Sequence, residues 1–268
     1  AKPDWNGTTG TDNSAAFVAA LGYCIDNKRR LLITHGRYSV GTTGVTVSRT
    51  AINNLFIWCE TGVELVCTSS SGTYPFLLHL AGVGGGCRLY GNGAKLVYAN
   101  APATRQTNHA MYLFGDAATI QDLDVRGWRI YNSPNMGLAV FAGPFGGVSS
   151  NNFGVQIDDI KVFNAKADVV HVENFDRDVK ITNIWYDTPG DDVVCVSNYT
   201  GSSGAPTRSS PTLGVEISGI DGVNAYSSIV RLLGVQRCRL AGLRGTMGNT
   251  FGGYGASVIS CDDTSGDY

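Results

Sequence analysis

The sequence has no apolar run long enough to span a bilayer, no charged-then-apolar leader and no C-x-x-C pair. The first absence excludes a membrane-spanning helix. The second means that any export follows removal of a leader, uses another route, or occurs on lysis. The third removes the usual spacing of a metal-binding motif, so no metal ligand set is expected. An excess of charge is also missing, since 20 Lys and Arg against 22 Asp and Glu leave a formal net charge of −2. That takes away the electrostatic basis for a nucleic-acid partner. Proline is modest at 8 residues while glycine reaches 35, a balance suited to an all-β chain with many tight corners. The 7 cysteines are odd in number and scattered, so a full disulfide framework is not expected. Cys59, Cys67, Cys87 and Cys238 fall among β-formers and are expected in the core as small apolar residues. Free thiols of this kind fit synthesis in a reducing cytoplasm.

What is present is a 268-residue chain with 43% hydrophobic residues, ample for a core. One segment reads as helix, "GTDNSAAFVAALGYCIDN". Thr11 or Asp12 is its expected cap, and Ala15, Val18, Ala19, Gly22, Cys24 and Ile25 its apolar stripe. "RRLLITHGRYSV" follows as a β-run broken by a His-Gly turn. From about residue 44 short strands follow one another, and a unit of short apolar strand, polar corner and second strand recurs. Its short strands, "GLAVF", "DVVHV", "DDVVCV", "SSIVRL" and "GASVIS", repeat at roughly 24 to 36 residues, the mark of a solenoid. With strands as units this predicts a right-handed single-stranded parallel β-helix. Residues 1–40 would form a linker, capping helix and first strand, and 41–268 the β-helix itself. A sandwich or barrel would need Asn-Gly hairpins, and only "GNG" at 91–93 is a good candidate.

Stacking these units suggests where chemistry could lie. With Val170 and Val172 inward, and Val194 and Val196 inward one coil on, Asp168 and Asp192 take equivalent places about 4.8 Å apart. Asp191 adjoins them at the corner, so three carboxyls share a patch of outer surface and at least one pKa should rise. A raised acid beside an ionised base suits glycosidic cleavage. Aspartate is also a common turn residue, bonding its own backbone, and that reading stays open. His171, Glu173 and Arg231 point outward in this register. Phe141 shares Glu173's column, and Tyr199 flanks the aspartate coil, so these five are candidate substrate contacts. "NYTGSSGAPTRSSP", 198–211, is an insertion that either wanders freely or walls the groove. His35, His79 and His109 look isolated and carry no assigned function.

"GTTGTDNSAAFVAALGYCIDNKRRLLITHGRYSV" resembles the opening of the pectate-lyase-like β-helix superfamily, with its capping helix and the corner Gly36-Arg37-Tyr38. Such openings are frequent in bacteriophage tailspike depolymerases. "NAKADVVHVENFDRDVKITNIWYDTPGDDVVCV" is similar to the Asn-Thr-Asp and Gly-Asp-Asp strands of polygalacturonase-like hydrolases. The resemblance implies Asp191 as proton donor to the leaving oxygen, with Asp168 and Asp192 holding the water, and inversion at the anomeric carbon. It further implies a surface polysaccharide as substrate, a homotrimer, and a virion-tail or extracellular location, without membrane insertion and without a cofactor. The family's Gly-His-Gly coil meets Ser227 here, and its later basic strand falls near "GASVIS", which has no basic residue. Those departures argue against a pectin-type substrate. They leave open a non-catalytic receptor-binding appendage, or a polysaccharide lyase using Ca²⁺.

Overall fold

A computed structural model describes residues 1–69, 74–115, 118–143, 151–198, 211–248 and 257–262. Among these residues the fold is mostly β, with one N-terminal helix, α1 (Ser14–Asp26), and two sheets of ten and eight strands in which every pairing is parallel. From Leu78 onward successive strands alternate between the sheets. Each long strand of the larger sheet is thus followed by a short strand of the smaller one. A parallel neighbour cannot be reached by a two-residue hairpin, so the chain must travel around before it pairs again. Accordingly "GNG" is no hairpin. Asn92 sits within the strand Arg88–Tyr98 at φ 49°, a left-handed kink that asparagine tolerates. No helix among the described residues is long and apolar enough to cross a membrane.

The Val-x-Val spacing decides the register. Leu138 pairs with Val170, Val170 with Val194, and Val194 with Val230. Val140, Val172, Val196 and Leu232 form the next inward column, and all eight side chains are buried. β-Branched residues suit such a pleated surface, and burying each stabilises the fold by about 1.5–3 kcal/mol. From the opposite sheet Val155, Ile157, Val179, Ile181, Val215 and Ile217 close the same core.

Three expectations shift at the ends of this stack. Asn13, rather than Thr11 or Asp12, takes the helix N-cap position, while Asp12 Oδ1 accepts the Ser14 amide at 2.9 Å. Phe17, Leu21 and Cys24 carry the buried face, whereas Ala15 and Ala19 are exposed, because Phe17 meets the edge of Tyr38 at 5.4 Å. Cys59, Cys67 and Cys87 are buried as expected, but Cys238 is exposed. It continues the inward column of Val179 and Val215, yet its strand is the last of the larger sheet among the described residues.

The corner that leads into the candidate site has its own chemistry. Asn164, Thr188 and Asn224 follow three stacked strands of the larger sheet, all in the left-handed region at φ 58°, 52° and 61°. Asparagine bears that conformation, and Asn164 donates to Asn132 Oδ1 at 3.0 Å one coil earlier. Thr188 is β-branched, which makes a positive φ strained. Replacing Thr188 by Asn is expected to raise stability by about 1 kcal/mol, visible as an upward shift in thermal melting. An unchanged or lower melting point would show that the corner is not strained.

Candidate functional site

The smaller sheet carries the site on the side away from the core. Asp168 precedes the strand Val170–Glu173, and Asp191 and Asp192 precede Val194–Ser197 one coil later. Gly190, ahead of the acid pair, is required by crowding: a Cβ there would stand 2.5 Å from the Lys166 carbonyl oxygen. Gly190→Ala should therefore lift the corner and destabilise by about 1–3 kcal/mol. Chemical denaturation measures it, and a change near zero would mean the coils do not press together here.

The three carboxyls do meet. Asp168, Asp191 and Asp192 each offer an oxygen within 4.8 Å of the others. Asp168 Oδ1 accepts the Asp192 amide at 3.1 Å, and Asp192 Oδ1 accepts the Ser228 amide at 3.0 Å. Asp168 and Asp192 thus bond backbone amides, as the turn reading has it, but across coils and with one oxygen each. The second oxygens face other partners. Asp168 Oδ2 meets His171 Nδ1 at 2.6 Å, Asp192 Oδ2 lies 3.6 Å from Arg231 Nη1, and Asp191 Oδ2 lies 3.3 Å from Arg105 Nη1.

Burial sorts the acids. Asp168 and Asp192 are 4% and 2% exposed, whereas the Asp191 side chain is one-third exposed. Burial, then Asp168 and Asp191, push Asp192 up to about 6. Asp191 is raised as well, by burial and then Asp168, against the opposing pull of Arg105, Arg231 and His171. A shared patch of outer surface was expected; instead only Asp191 presents a carboxyl to solvent.

His171 and Glu173 lie outside the core column as expected but are buried, not surface residues. Phe141, packed 5.3 Å from the His171 ring, covers their side of the sheet and is itself 5% exposed. It is thus unavailable as a platform for a sugar. Burial opposes a charged imidazole, yet Cys195, Asp168 and Glu173 outweigh it and hold His171 well above its usual value. Cys195 is itself pushed up by burial, which leaves the two carboxyls as the charges that count. His171 Nε2 meets Ser197 Oγ at 2.9 Å. Asp168, His171 and Ser197 follow the order of a serine nucleophile triad, but Ser197 is fully buried and a protonated imidazole is no base. Ser197 anchors the ring.

Arg231 is half-buried and paired with Asp192, rather than a solvated surface charge. Tyr199, and nearly all of the insertion at 198–211, lie outside the described residues. His109, read as isolated, packs near Phe141 and Tyr112, and burial pushes it down to about 3. Arg105 was missed. It lies in a loop 86 residues before Asp191, and nothing in "APATRQTNHA" resembles a motif. Ser227 was seen only as a missing histidine, yet it works against the burial that raises the Asp192 carboxyl.

A cavity of about 420 Å³, lined by Lys166, Thr188, Pro189, Asn224 and the exposed ring of Tyr226, reaches Gly190, the residue before Asp191, although none of the three acids lines it. Among the described residues two sets could hold a metal: Asp168, Asp191 and Asp192, or Asp168, His171 and Cys195.

No protein-family model matches the chain, and no curated protein matches it. Among solved structures, the crystal structure of the Agl-KA catalytic domain is similar, with a TM-score of 0.54 at 16% identity. The match covers 95% of this chain and 45% of that one, so the chain spans less than half of the neighbour's length. At that identity the likeness shows a common fold and leaves the activity open.

Proposed function

We propose that the chain is a right-handed parallel β-helix that hydrolyses a polysaccharide, with Asp191 as the proton donor. The alternation of strands between two parallel sheets supports the first part. The carrying observation for the second is a raised, solvent-facing Asp191 within 4.8 Å of two buried carboxyls, directly after Gly190, which lines a cavity of about 420 Å³.

Asp192 is raised further than Asp191, so in this reading the two titrate as a coupled pair. The active form is the one in which their shared proton stands on solvent-facing Asp191 while ionised Asp192, paired with Arg231, takes the proton from the attacking water. Asp168 is a positioning residue, because its two oxygens already accept from the Asp192 amide and face His171. Arg105 replaces the cation lost with the family's basic strand. The close approach of the carboxyls is shorter than the separation of about 6.5–9.5 Å usual in inverting enzymes, so inversion rests on the resemblance alone. The homotrimer and the tail or extracellular location rest there too, the division at residue 40 rests on the strand pattern, and all remain part of the proposal. The glycan is a bacterial capsule, O-antigen or exopolysaccharide.

A second reading has its own observation. Because Asp168 and Asp192 are buried, a glycan docked on this face would touch only Asp191 and the arginines. That would suit a receptor-binding appendage. Incubation with a panel of capsules and O-antigens, followed by mass spectrometry, separates the two. Shortened chains carrying added water are expected. Binding without cleavage of any member would favour the appendage.

A further inference from the structure

We propose that the outer face of the larger sheet carries a second site, on a different sheet from the aspartates, which holds an acidic polysaccharide through the indole of Trp58 and the guanidinium groups of Arg30 and Arg88. It rests on the make-up of this face and stands whether or not the chain hydrolyses glycans.

Parallel register builds the site. The strands Arg30–Ile33, Phe56–Cys59, Arg88–Tyr98 and Gln121–Tyr131 lie side by side. Arg30, Phe56, Arg88 and Asp124 stand in one column, and Leu32, Trp58, Tyr90 and Arg126 in the next. Ile57, Leu89 and Val125 between them are buried in the core, so both columns face outward. Further along the same columns stand Gln156, Lys180 and Glu216, with Asp158, Thr182 and Ser218. The aromatic and apolar side chains of these two columns are thus gathered at one end.

There, rings and cations alternate. Arg30 lies over Phe56 at 5.1 Å and Arg126 over Tyr90 at 4.9 Å. Among the described residues no cation lies over Trp58, which is 42% exposed. Phe56 and Tyr90 meet it edge-on, each at 6.1 Å, so they hold the indole without stacking on it. Such a ring takes the apolar face of a sugar.

The charge of the patch selects which sugar. Asp124 is engaged by Arg126 and accepts the Tyr90 hydroxyl at 2.8 Å. Glu60, at the corner beyond Trp58, accepts the His35 amide at 2.8 Å. Arg30 and Arg88 have no carboxylate partner among the described residues, and the exposed Lys28 and Arg29 directly precede Arg30. Spare guanidinium groups beside an open indole suit a sugar acid, whose carboxylate they can bind with two parallel bonds.

Other occupants fit less well. A second copy docked about a two-fold axis would set Arg30 and Arg88 against their own kind. Leu32 and Trp58, the exposed apolar side chains of the patch, also fall far short of the roughly 800 Å² per partner that a stable interface buries. A nucleic acid would need the positive surface to continue, but Asp158 and Glu216 succeed the arginines along the face.

Electrophoresis of the full chain in native gels tests the site, with alginate, hyaluronan or polysialate as acidic probes, dextran as the neutral one and poly-dT as the nucleic acid. At low salt at least one acidic probe should retard the chain, and dextran should not. Trp58→Ala and Arg88→Gln should each weaken that binding about tenfold, while Trp58→Tyr should keep most of it. Asp191→Asn should be retarded like the parent, which separates this site from the aspartate corner. Circular dichroism checks the fold of each variant, and Arg30→Gln replaces any that misfolds. No retardation by any acidic probe, equal retardation of Trp58→Ala, or stronger retardation by poly-dT would overturn the proposal. So would a dimer in sedimentation that dissociates on Trp58→Ala.

Discussion

Replacing Asp191 by asparagine should leave the fold intact and lower kcat on a cleaved glycan by about 100- to 10,000-fold, the usual contribution of a positioned general acid. The isostere keeps the corner's shape. Arg105 loses an exposed ion pair worth at most about 1 kcal/mol, so melting should barely move. What disappears is the proton. Burial and Asp168 hold the Asp191 carboxyl above its ordinary range, which keeps it protonated further toward neutrality than a free aspartate. It is also the member of the trio that solvent can reach. An amide in its place cannot protonate a leaving oxygen, whereas glycan binding through the arginines should survive. The kinetic signature is therefore a collapse in kcat with KM little changed. If Asp191→Asn binds and clears glycan as well as the parent chain, the receptor-binding reading takes over.

Asp192→Asn, by contrast, should raise stability at neutral pH. A carboxyl held at about 6 against an ordinary 3.8 is disfavoured in its charged form by the folded protein. The sign follows from proton counting. Between about pH 4 and pH 6 the folded chain keeps a proton that the unfolded chain has released, so stability falls as pH rises through that window. Above it the ionised group costs about 3 kcal/mol. Asparagine removes the charge and can still accept the Ser228 amide that Asp192 Oδ1 accepts at 3.0 Å. At pH 7 the variant should be more stable by up to about 3 kcal/mol, and its stability should be flatter between pH 4 and 6. Its hydrolysis should be lost by about 100-fold or more. Activity of the parent chain should peak on the acid side of neutrality, where Asp191 and Asp192 share a proton as a coupled pair. Urea titrations across pH decide the matter. A variant less stable than the parent at pH 7 would make Asp192 a corner residue and nothing more.

Much of this arrangement was legible because parallel stacking is simple arithmetic. Once Val170 and Val194 are set inward in adjacent coils, Asp168 must fall beside Asp192, and Arg231 above Cys195 and His171. Alternation along the strands carried that far. It did not reveal what lies over the outer face, so His171, Glu173 and Phe141 were expected in solvent when they are buried. Nor could it find Arg105, whose approach to Asp191 depends on the path of a loop without periodicity. End positions fail for another reason: Cys238 obeys the inward pattern but stands where the described stack of its sheet ends. At the helix, single-residue choices are settled by a later strand: Asn13 rather than Asp12 donates to the Ser39 carbonyl, and Phe17 rather than Ala15 packs against Tyr38.

Cleavage carried out in water labelled with heavy oxygen tests the account most directly. If Asp191 and Asp192 activate water against a glycosidic bond, each new reducing end should carry one labelled oxygen and no ultraviolet-absorbing unsaturated ring. Unlabelled ends paired with such rings would mean elimination, and the roles given to these aspartates would be wrong.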